Sequence, residues 1–118
     1  MNLPIGWQAV HRAEDGELVG YLSGAENRGA PGWTARTIFG GALQTFADRE
    51  SAARHLTAHG LAVLAAKWWY WSVPDNRWIL TFLVEARLGA VTVRFGYDPA
   101  SSVTLRGDDL DRLALAIP

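Results

Sequence analysis

The chain contains no cysteine, which removes disulfides, thiol nucleophiles and thiolate-bound metals from its chemistry. Neither sign of charge dominates. With 11 basic and 12 acidic residues the formal net charge is −1, so there is no general positive field to gather phosphate backbones, and nucleic acid is not an expected partner. Lysine is nearly missing: Lys67 stands alone among arginines, a bias that goes with abundant alanine and glycine in a GC-rich genome. Long apolar runs are missing as well. The longest, Leu61 to Trp71, is interrupted by Lys67 and is too short to cross a bilayer, so no membrane partner is expected. Residues Met1 to Trp7 carry no basic segment followed by an apolar one, so no secretory signal is read there and a cytoplasmic location is expected.

What the chain has in plenty is tryptophan, six residues in 118, three of them in the run Trp68, Trp69, Tyr70, Trp71. In a strand successive side chains alternate, so Trp68 and Tyr70 lie on one face and Trp69 and Trp71 on the other. Each ring removes roughly 150 to 250 Å² from water when buried, worth a few kcal/mol at about 25 cal/mol per Å². Both faces therefore need cover. One good amphipathic helix is readable, enough for one face, and the other is left for a partner subunit, a ligand, the glycine-rich loop 24–32 or the C-terminal tail.

The length fits a single domain spanning 1–118. Trp7 to Ala13 and Leu18 to Ser23 flank Asp15-Gly16, a hairpin signal that pairs Ala9 with Leu22 and turns Trp7, Ala9, Leu18 and Leu22 to the core. Gly24 to Gly32 reads as a flexible loop, and Trp33 to Phe39 as a strand ended by Gly40-Gly41. Asp48 is the expected cap of a helix reaching about residue 59, with Ala52, Ala53 and Leu56 inward and Gly60 as a left-handed stop. After the aromatic strand, Pro74-Asp75-Asn76 turns into a long strand, Trp78 to Glu85, whose two apolar faces imply a central position. A tight turn at Leu88-Gly89 then pairs Phe82 with Phe95, Val84 with Val93 and Glu85 with Thr92. A short strand follows around Val103 to Leu105, then a brief helix in the tail. The expected class is α+β: about six strands in two groups of three forming one antiparallel sheet, or a bent half-barrel, with one main helix on one face.

Catalytic constellations are not found in the sequence. No serine sits in a nucleophile elbow, no glycine loop carries the residues of a phosphate cradle, and no cofactor is implied. His55 and His59 have metal-ligand spacing on a helix but no third ligand, so no metal site is assigned. The polar group worth testing is Glu85 and Arg94 with Arg87, Thr81 and Thr92. It reads either as a site for a small polar ligand or as a cross-strand ion pair. The leading expectation is a non-enzymatic interaction or regulatory module whose aromatic face, Trp69 and Trp71, binds a protein partner or a second copy as a homodimer. A small-ligand binder or enzyme around Glu85 and Arg94 is the alternative.

Gly20-Tyr21-Leu22, then Trp33, Thr37, Phe39-Gly40 and Leu43, then Leu56, Gly60-Leu61, Leu64-Ala65 and Trp68 carry a resemblance. About half of the chain resembles a group of small actinobacterial proteins that share a G-Y-L strand, a W-x-x-x-T-x-F-G-x-x-L stretch and an L-x-x-x-G-L-x-x-L-A-x-x-W stretch. The resemblance implies a bacterial, actinobacterial origin. It implies no activity and no site residue.

Overall fold

Two compact units meet in sequence between Ala62 and Val63, and the computed structural model describes residues 3–117. In the first unit, β1 (Gln8–His11), β2 (Leu18–Asn27), β3 (Ala30–Arg36) and β4 (Ala42–Phe46) form an antiparallel sheet in that order, with the helix α1 (Arg49–His59) packed on it. The second unit is an antiparallel sheet of β5 (Lys67–Ser72), β6 (Arg77–Arg87), β7 (Ala90–Phe95), β8 (Asp98–Arg106) and β9 (Leu113–Ala114), in the order β8-β7-β6-β5-β9. The α+β class and the single main helix agree with the sequence reading. Among the described residues, nine strands in two sheets replace the expected one sheet of about six.

Asp48 begins α1 as its composition dictates: the carboxylate accepts the Ser51 N–H at 2.8 Å and the Ser51 hydroxyl at 3.0 Å. The other end differs from expectation. Gly60 is right-handed, at φ −56°, so it is not a left-handed stop. Its lack of a side chain serves contact instead, because a Cβ there would run into the Val19 carbonyl oxygen and lie 2.7 Å from that of Leu56. Gly20, at φ +151°, is needed for the same reason: a Cβ would collide with the Arg36 carbonyl and come within 2.8 Å of Leu56 Cδ2. These two glycines let Leu56 and Ala52 sink completely into a core made with Val10, Val19, Leu22 and Ala35.

The β1–β2 hairpin also departs from the reading by one register step. Asp15 accepts from the Arg12 guanidinium and, at 3.0 Å, from the Glu17 N–H, so it anchors a longer loop instead of opening a two-residue turn. Ala9 then pairs with Tyr21 and Val10 with Gly20, which turns Val10, not Ala9, to the core. The 24–32 segment is no flexible loop. Asn27 pairs with Ala30 across Arg28 and Gly29, both at positive φ (54° and 80°), the geometry of a tight primed hairpin turn. The strand expected to reach Phe39 stops at Arg36, because Thr37 closes a turn: its N–H donates to the Gly41 carbonyl at 2.9 Å and its hydroxyl accepts the Gly41 N–H at 3.1 Å. That turn returns the chain as β4.

In the second unit β6 is central, as its two apolar faces imply. The β5–β6 turn is fastened by the Ser72 hydroxyl, which donates to Asp75 at 3.0 Å. Leu88-Gly89 forms the expected turn, with Arg87 opposite Ala90 and Glu85 opposite Thr92. Beyond it a bulge at Val84 shifts the ladder, so Phe82 faces Arg94 and Leu83 faces Val93; the expected Phe82–Phe95 and Val84–Val93 pairs do not form. The outer strand β8 bulges too. Pro99 to Ser102 lie between the Phe95–Asp98 and Val93–Val103 pairs, opposite Arg94 alone, which blunts this edge against pairing with another chain.

Candidate functional site

Residues directly opposite in a ladder share a face, so the registers sort the second sheet except at its bulges, Val84 and residues 99–102. Trp68, Tyr70, Ile79, Thr81, Val91, Val93, Phe95 and Leu105 lie on the inner face. Trp68, Thr81, Val91 and Val93 are 2% exposed or less. The Trp68 indole donates to the Val63 carbonyl at 2.8 Å, and the Thr81 hydroxyl donates to that of Ile79 at 2.8 Å, so these buried polar atoms are satisfied. Tyr70 meets Arg112, whose guanidinium is held in its charged form first by that hydrogen bond and then by Asp109.

The outer face is built in rows. Trp71 stands opposite Trp78, ring edge to ring face with centroids 5.4 Å apart. Trp69 stands opposite Leu80, and Lys67 opposite Phe82, which in turn faces Arg94. Next come Glu85, Thr92 and Thr104, the two threonine hydroxyls 3.0 Å apart. Arg87, Ala90 and Arg106 make the last row. The tryptophans and Leu80 are half-buried, while Phe82 is 40% exposed. This face therefore presents a continuous apolar strip with a charged end.

The candidate residues fall into place on this map. Trp69 and Trp71 are two rows of the strip. Glu85, Arg87, Arg94 and Thr92 share the face at its charged end, and Thr81 is buried on the opposite side. Among the described residues no ion pair joins Glu85 to Arg87 or Arg94. A hollow of about 220 Å³ lies elsewhere, at the end of the sheet, lined by Arg77, Trp78, Leu80, Gly96 and Tyr97. Lys67, Phe82 and Arg106 belong to the outer face although sequence reasoning did not single them out. The alternation of β6 placed Phe82 correctly beside Trp78 and Leu80, but joining it to Lys67 and Arg94 requires knowing the bulge.

In the first unit, His55 and His59 stand with ring centroids 5.0 Å apart, and Phe46 lies 5.3 Å from His55. Burial pushes the His55 imidazole below its ordinary pKa, and the neighbouring His59 adds to the effect. Among the described residues no group of three His, Cys, Asp or Glu side chains could hold a metal ion, and no helix is long and apolar enough to cross a membrane. Arg36 lies over the Trp7 ring, 4.5 Å from its centroid, and donates to Ser23 Oγ at 2.8 Å and the Gly40 carbonyl at 2.9 Å, which makes it a brace of the first sheet. No protein-family model matches the chain, and no solved structure matches it.

Proposed function

We propose that this chain is a non-enzymatic interaction module of an actinobacterial cytoplasm, and that the outer face of its second sheet, centred on Trp69 and Trp71, binds a protein partner or a second copy. One observation carries the reading. The inner face of the sheet is buried at its centre and its buried polar atoms are satisfied, with Val103 exposed only at the β8 edge, while the outer face exposes Phe82 beside three half-buried tryptophans. Contiguous apolar surface on one face is the mark of a contact site. Aromatic side chains also dominate the energy of such contacts.

Trp69→Ser with Trp71→Ser is the test. The expected result is a folded chain that has lost self-association or partner binding, seen as a drop in molar mass in solution or in partner capture. Unchanged association would end the proposal. The alternative reading, a small-ligand site or enzyme at Glu85 and Arg94 with Arg87 and Thr92, is favoured only by the convergence of those groups on one face. The hollow beside Trp78, Leu80 and Tyr97 is lined by none of these four residues.

A further inference from the structure

The charged end of the outer face says more about its occupant. Lys67, Arg87, Arg94 and Arg106 belong to four successive strands, and their two rows are roughly 13 Å apart at about 3.3 Å per residue. All four are exposed, and among the described residues none takes part in an ion pair. Glu85 is the one carboxylate in these rows. A chain of net charge −1 thus concentrates an excess of positive charge next to its exposed apolar strip.

Three occupants compete. A second copy docked face to face about a two-fold axis along the strands would bring two such positive fields together, and one docked about the perpendicular axis would set each charged end on the other's apolar strip; neither gives the four cations a counter-charge. Single-stranded nucleic acid needs open ring faces on which bases stack. Here Trp71 and Trp78 pack edge to face on each other and the tryptophans are half-buried, so no open ring face is offered to a base. An acidic segment with apolar side chains meets both halves of the surface: carboxylates on the cations, apolar groups on Phe82, Leu80 and the tryptophans.

We propose that the outer face of the second sheet recognises an acidic, apolar-rich protein segment, with Lys67, Arg87, Arg94 and Arg106 holding its carboxylates and the strip from Phe82 to Trp71 holding its apolar side chains. This rests on the reading of that face as a binding surface and names what it binds.

A random copolymer of Glu and Tyr is the probe, with poly-Glu and oligothymidylate beside it, titrated by fluorescence anisotropy against the full chain. The copolymer should bind, more tightly than poly-Glu, with an affinity that falls as salt rises. Reversal of the four cations in Lys67→Glu, Arg87→Glu, Arg94→Glu and Arg106→Glu should weaken it by at least about tenfold. A control with the same total charge change confined to the first unit, Arg28→Glu, Arg49→Glu, Arg54→Glu, Gln44→Glu and Thr57→Glu, should stay within about twofold of the wild type.

No copolymer binding, equal losses in both variants, or tighter binding of oligothymidylate would each overturn the proposal. The two readings fail separately. If Trp69→Ser with Trp71→Ser abolishes self-association while the copolymer fails to bind, the interaction face stands and the acidic occupant falls. If the tryptophan variant leaves copolymer binding and molar mass unchanged, both fall.

Discussion

The two sheets solve the burial problem in different ways. The first lays one apolar face under α1, and its other face mixes aromatic and polar groups: Tyr21 packs beside Trp7, Ser23 and Arg36 bond to each other, and the Thr34 and Thr45 hydroxyls lie 3.0 Å apart. The second has, among the described residues, no α-helix of its own. Its inner face buries Trp68 and its neighbours, with Val103 exposed at the β8 edge, and its outer face is left with exposed Phe82. Both faces of the first sheet hold buried residues, Leu22 and Ala35 on one and Tyr21, Ser23 and Thr34 on the other, whereas the outer face of the second exposes Phe82. That open face is the one the proposed contact uses.

The strongest way to break this comparison is to remove one tryptophan from each side of the aromatic strand. Trp68→Ala should cost about 3 to 5 kcal/mol, as for a fully buried ring, and Trp71→Ala clearly less, as read from chemical denaturation. Equal losses would mean that the outer face is core as well.

Next in size are the changes that pry α1 from its sheet. Leu56→Ala should cost about 2 to 5 kcal/mol through the cavity it leaves. Gly60→Ala should cost about 1 to 3 kcal/mol, because its methyl group has no room beside the Val19 carbonyl. A harmless Gly60→Ala would show that the close approach of helix end and strand is not needed.

The smallest effect is in pH. Since burial holds His55 below its ordinary pKa, the unfolded chain takes up the proton first as the solution is acidified. The stability it contributes is present above the ordinary histidine range and is lost as pH falls through the lowered folded value. His55→Phe keeps a ring beside Phe46 and should flatten the dependence of melting temperature on pH between about 7 and 5. An unaltered slope would assign the dependence to other groups.

How much of this was legible in the sequence depended on how local the cause was. The division of Trp68 and Tyr70 from Trp69 and Trp71 follows from strand alternation alone. The Asp48 cap and the Leu88-Gly89 turn follow from the chemistry of a few neighbouring residues. Failures came where distant contacts decide the geometry. Gly60 looked like a helix stop and is a contact point for β2. Arg28 at positive φ disguised a hairpin as a loop. The bulge at Val84 moved Phe82 from Phe95 to Arg94, and with it the row of cations that gives the outer face its charge. Such a row is invisible along the chain, since its members lie on different strands and meet only through register.

The account stands most directly on one comparison of molar mass by light scattering: wild type and the Trp69→Ser, Trp71→Ser variant, each over a concentration series, alone and with the Glu–Tyr copolymer. The account predicts that the wild type rises above its single-chain 12.9 kDa in at least one condition and that the folded variant stays at the single-chain value in both. A wild type that never exceeds a single chain, or a variant that follows it, would contradict the claim that the outer face of the second sheet is a binding surface.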